Sequence, residues 1–165
     1  MPASPERLLN IYLSDHAAAA TAGLELARRV ARSKTSNASG EALQTLAGEI
    51  VEDRRALKRV IAELGFRESR TKHALAWAAE KAGRLKPNGQ LTGYSPLSRV
   101  LELEALSVGI AGKLALWQSL QTLTHVGERL PDIDLEDLAD RARRQRDEVE
   151  KQRLQAVRLA FEPAS

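Results

Sequence analysis

From Ser95 to Leu123 the chain reads SPLSRVLELEALSVGIAGKLALWQSLQTL, apolar around most of its circumference and free of proline after its Ser-Pro start. A Ser-Pro pair suits the first turn of a helix, and a helix that is apolar on several faces must be covered on more than one side. The spacing predicts a helix over 95–123 with two apolar stripes. The main one, Leu97, Val100, Leu101, Glu104, Val108, Ala111 and Ala115, is expected to face the core. It carries Glu104 inward, and an enclosed carboxylate must be neutral, paired or bound to metal. The second stripe, Leu103, Leu106, Ile110, Leu114 and Trp117, needs its own cover. A short helix of the preceding connection can supply it, or a second copy can, which makes Leu106, Ile110 and Trp117 the candidate homodimer interface.

The remaining chain has the same period of about 3.6 residues. A first helix is expected over 4–33, with Leu9, Tyr12, His16, Ala20, Gly23, Ala27 and Val30 on one face and four charged side chains opposite. KTSNASG reads as a turn. A second helix is expected over 41–64, stopped by Gly65, with Asp53 on the apolar face and Glu52 outward. The connection that follows is too long to lack structure, and 68–85 reads as a short helix carrying Leu75, Trp77, Ala78 and Ala82. DIDLED supplies acidic capping residues for a last helix over 135–161, whose narrow seam is Leu135, Leu138, Ala142, Val149, Ala156 and Ala160, bordered by Arg146 and Arg153. No strand pattern and no sequence repeat is present.

At 165 residues and 43% hydrophobic content, the chain suffices for one core, so residues 1–165 are read as a single domain. The absence of cysteine excludes disulfides, thiolate metal sites and cysteine nucleophiles. No apolar run approaches the roughly 20 residues of a membrane span, and MPASPERLL lacks the pattern of a leader, so a soluble cytoplasmic protein without membrane contact is expected. The +3 net charge arises from 25 basic and 22 acidic side chains interleaved along the helices. The runs Arg67, Arg70, Lys72, Lys81, Arg84 and Lys86, and Arg141, Arg143 and Arg144, therefore read as solvated faces and not as a nucleic-acid site. Aromatic content of 4% leaves few platforms for stacked bases. Ser107 lacks a partner histidine and a glycine-rich oxyanion turn, so it reads as a packed hydroxyl.

The expected class is all-α, two antiparallel hairpins joined by a long crossover, which is the topology of ferritin-like four-helix bundles. The stretches YLSDHAAAATAGLELARRVA, GEIVEDRRALKRVIAELG and YSPLSRVLELEALSVGIAGKLALW resemble an uncharacterised group of ferritin-like proteins within the ferritin and rubrerythrin superfamily. That resemblance implies the fold and, for di-iron members, a Glu on the first and third helices with Glu-x-x-His on the second and fourth. This sequence departs from that pattern. The first helix offers His16, the second Asp53 without a histidine three places on, the third Glu104, and the fourth reads Glu148-x-x-Lys151 and Glu150-x-x-Arg153.

Arg153, with Arg146, is therefore expected to neutralise Asp53 and Glu104, with His16 completing a buried polar network. The alternative is an iron or manganese site formed by His16, Asp53 and Glu104. The corresponding functional classes are a non-catalytic bundle without a cofactor, acting through self-association or an unknown protein partner, and a metal-binding protein with oxidation or storage chemistry. The missing Glu-x-x-His on the last helix favours the first.

Overall fold

A computed structural model describes residues 3–32, 37–67 and 95–162. The expected helix over 68–85 and the first basic run beyond Arg67 lie outside the described residues. Among the described residues the chain is all-helical, with no strand. The elements are α1 (Pro5–Arg32), α2 (Asn37–Glu63), α3 (Pro96–Gln121), the single turn α4 (Thr124–Gly127) and α5 (Leu135–Phe161). No described helix is long and apolar enough to cross a membrane.

Local chemistry sets most of these limits. Pro96 opens α3, and the Ser95 hydroxyl accepts from the Leu97 N–H at 3.2 Å. Asp134 caps α5, its Oδ1 accepting from the Glu136 and Asp137 N–H groups at 3.0 and 2.9 Å. These caps occupy backbone donors that would otherwise have no partner in the first turn. After α2, Gly65 takes φ +71, which only glycine adopts without strain. The Phe66 N–H then reaches back to the Ile61 carbonyl at 3.0 Å, and Arg129 donates to the Leu64 carbonyl at 2.5 Å. α2 begins at Asn37, so the NASG end of the expected turn is helical. Tertiary contact overrides local preference there: Ser39 is buried and its hydroxyl donates to Gln155 Oε1 on α5 at 3.1 Å.

The paired residues fix helix direction. Arg99 at the start of α3 donates to the Val30 carbonyl at the end of α1, and Tyr12 near the start of α1 donates to Ser119 near the end of α3. Those helices are therefore antiparallel. Arg129 brings Leu64 beside Glu6, which sets α1 antiparallel to α2. The pairs Ser39–Gln155 and Asp53–Arg141 set α2 antiparallel to α5. Glu104–Arg153 and Lys113–Gln145 do the same for α3 and α5. Since α1 opposes both α2 and α3, these two run in the same direction.

The core is drawn from regular seams. On α2 it is Leu43, Leu46, Ile50, Asp53, Leu57 and Val60, continued by Leu64 just past the helix end, and on α5 Leu138, Ala142, Gln145, Val149, Gln152 and Ala156. The inward face of α3 is the stripe expected to be secondary: Leu103, Leu106, Ile110, Leu114 and Trp117 are all buried, with α5 packed most extensively along the helix. Leu106, Ile110 and Trp117 therefore belong to this chain's own core and are not available as a homodimer interface. The main stripe points outward from Glu104 on: Glu104, Val108, Ala111 and Ala115 are exposed, Val108 by 65%, while Val100 at its start is buried. Periodicity alone could not choose between the stripes. Side-chain size did, because the large residues remove more apolar area from water than Ala111 and Ala115 can.

Adjacent residues on α3 test this rotation. Leu103→Ala should cost about 2 to 5 kcal/mol in chemical denaturation through loss of packing, whereas Glu104→Ala should stay within about 1 kcal/mol, as expected for an exposed ion pair. The reverse order would return Glu104 to the interior.

Candidate functional site

Each of three helices contributes polar side chains at one level of the core. Asp53 of α2 is 2% exposed. Arg141 of α5 donates through Nε to Asp53 Oδ1 at 2.7 Å. Lys113 of α3 donates through Nζ to Asp53 Oδ2 and to Gln145 Oε1. The Gln145 amide, 1% exposed, turns its Nε2 to Asp53 Oδ2 and to Glu49 Oε2, at 3.0 Å each. Glutamine suits this place because its oxygen can accept from the ammonium while its nitrogen donates to both carboxylates. Two carboxylates thus face two cations, and every oxygen of Asp53 is engaged.

α1 presents small side chains at about this level. Arg54, next to Asp53, donates to Thr21 at 3.3 Å, which sets that level of α1 against the network. The seam residues there are Ala17 and Ala20, packed against the core. No carboxylate of α1 is among the groups that act on Lys113.

Burial sets the electrostatics of Lys113. Desolvation pushes its ammonium below the ordinary value near 10.5, the charge and hydrogen bond of Asp53 raise it, Arg141 lowers it further and Glu49 opposes that. The net direction is down, because removing an ammonium from water disfavours its charged form.

The residues singled out in the sequence are dispersed. Asp53 is interior. Glu104 is not, its side chain being 49% exposed, because it lies on the outward side of α3; it meets Arg153 at 3.6 Å. Arg153 sits at that rim, grips Glu150 of its own helix at 2.7 and 2.8 Å and holds its carboxyl below the usual range. Arg146 is exposed, on the side of α5 away from the seam. His16 is half-buried with its ring edge-on to Tyr12 at 4.6 Å, and burial lowers its pKa against the opposing pull of Asp15. The expected network of His16, Asp53, Glu104, Arg146 and Arg153 is therefore corrected. Asp53 is neutralised by Lys113 and Arg141, while Arg153 pairs with Glu104 at the surface. Of the second basic run, Arg141 is turned to Asp53 and Arg143 to Asp140.

The alternative metal set fails on the same geometry. Among the described residues, no three His, Asp or Glu side chains gather in a way that could hold an ion. The donors present do not fit a di-iron centre either: at the core level of Asp53 the nearest groups are an ammonium and a guanidinium, whose charge opposes a metal cation.

Lys113 and Gln145 were legible but missed. Lys113 is the only charged residue from Ala105 to Gln121, and a lone lysine in an apolar run needs an acid. Gln145 and Gln152 fill the two gaps in the 4-3-4-3 seam of α5. Another buried acid was also missed: Glu102, 4% exposed, pairs with Arg29 at 2.8 Å. No family model matches this chain, and no curated protein or solved structure matches it.

Asp53→Ala leaves two cations without their acid, and we expect a loss of about 3 to 5 kcal/mol in unfolding free energy; a loss below about 1 kcal/mol would contradict the network. The pH dependence has a definite sign. Between the lowered pKa of Lys113 in the folded state and the ordinary 10.5, the unfolded chain binds more protons, so stability rises with pH across that window. Unfolding free energies measured from pH 7.5 to 10 should show this increment in the native chain and not in Lys113→Met.

Proposed function

We propose that the chain is a ferritin-like four-helix bundle in which a lysine and an arginine neutralise the central acid, and that it works without catalysis, as an interaction or scaffold protein that associates with itself or with another protein. One observation carries this reading: Lys113 and Arg141 occupy the oxygens of Asp53. Helix order supports the fold, since ferritin-like bundles have parallel second and third long helices and antiparallel neighbours. That order requires a connection as long as the bundle, about 39 Å for a 26-residue helix, and residues 68–94 provide ample chain for it.

Against oxidation chemistry stand the donors themselves. A di-iron site needs carboxylates and histidines converging from four helices. Here α1 brings alanines, α3 a lysine, and α5 an arginine and a glutamine to the level of Asp53. The exposed polar faces of α2 and α5 pair internally, as in Glu52–Arg55 and Asp140–Arg143, which suits a solvated exterior.

The direct check is aerobic titration with Fe(II) and with Mn(II), followed by calorimetry and oxygen uptake. We expect no stoichiometric binding and no uptake beyond that of buffer. Binding in a fixed ratio that is lost in Asp53→Asn would overturn the reading.

A further inference from the structure

The face of α3 turned away from the core carries a second regular seam: Leu101, Ala105, Val108, Gly112, Ala115 and Ser119. Their 4-3-4-3-4 spacing is that of a helix pairing with another helix. Val108, Ala115 and Ser119 are exposed, and the other three are partly so. The face carries no charge from Ala105 to Gln121, because Lys113, the one charged residue there, is directed at Asp53. In a chain that is 28% charged, such a face is conspicuous. Its one polar group needs no new partner on burial, since the Ser119 hydroxyl donates to the Ala115 carbonyl at 2.8 Å and accepts from Tyr12 at 3.3 Å. Glu104 lies at the flank and is already paired with Arg153.

We infer that this seam joins two copies of the chain, α3 against α3 in antiparallel order about a two-fold axis level with Ile110. The inference rests on the association role proposed above and names its partner. A two-fold interface must be complementary to itself, each residue meeting its opposite number on the same surface. This seam meets that condition at every level. Val108 of one copy falls opposite Gly112 of the other and Leu101 opposite Ser119, a larger side chain against a smaller one in each case, while Ala105 and Ala115 meet as two small side chains. The glycine is an open hole, since a Cβ built there would meet nothing within 4 Å.

The size is adequate. From Leu101 to Ser119 the seam is about 27 Å long, and α1, held beside it by the Tyr12–Ser119 hydrogen bond, makes the face two helices or about 20 Å across. That gives roughly 1,100 Å² for both copies, just above the roughly 1,000 Å² expected of a specific interface. From Ala105 to Ser119 the seam itself brings no like charges of this +3 chain together.

Sedimentation equilibrium at micromolar concentration should show a dimer for the native chain. Val108→Asp and, separately, Ala115→Glu should weaken it at least about tenfold, since each buries two unpaired carboxylates per dimer, while far-ultraviolet circular dichroism stays unchanged. The chain has no cysteine, so register can be read from disulfides. A mixture of Val108→Cys and Gly112→Cys chains should oxidise to the mixed dimer in preference to either homodimer. A native monomer, the result expected if residues 68–94 of the same chain cover the seam, overturns the inference, as do dimers that survive both acidic substitutions. Either failure leaves the metal titration result untouched, so the two readings can fail separately.

Discussion

A carboxylate enclosed among apolar helices has to be neutralised, and the rest of this structure follows from how Asp53 meets that demand. Its neighbours along α2 are Ile50 and Leu57, so water cannot do it. Arg141 reaches in from the adjoining α5 and Lys113 from α3. Both bonds are satisfied only in one axial register of three helices. A slip of one turn, about 5.4 Å, would strand the acid and both cations. Such a network adds little net stability compared with an apolar core, and its consequence here is to penalise other registers.

The same constraint accounts for sequence features that otherwise look arbitrary. The alanine run of α1, Ala17 to Ala20, is partly buried and places no charged side chain between Asp15 and Glu25. Gln145 interrupts the seam of α5 because only a side chain that both donates and accepts can link an ammonium to two carboxylates. From Ala105 to Gln121 α3 has a single charge, committed inward, and therefore an uncharged outer face over that span. The interior electrostatics and the uncharged surface of that span are two results of one placement.

The four long helices among the described residues and most of their ends were legible because their causes are local: the Ser95 and Asp134 caps, the proline at 96 and the glycine at 65. The start of α2 was not, since the contact of Ser39 with Gln155 decides it and no local signal reports a residue so distant in sequence. The inward face of α3 was ambiguous because two stripes share one period, and weighing side-chain volume would have chosen correctly. Asp53 was recognisable as interior from its place in the α2 seam. The arginines expected to neutralise it do not: Arg146 is exposed, and Arg153 meets Glu104 at the rim. The lone lysine of α3 was the overlooked sign, for a charge with no acid in helical reach must find one on another helix.

The most direct measurement of this account is a double-mutant cycle between Asp53 and Lys113, using Asp53→Ala, Lys113→Met and the combined variant in equilibrium unfolding. Residues that share a buried ion pair should be coupled by about 1 to 3 kcal/mol, so that the combined loss is smaller than the sum of the single losses. Strict additivity, within about 0.3 kcal/mol, would mean that Lys113 does not neutralise the acid.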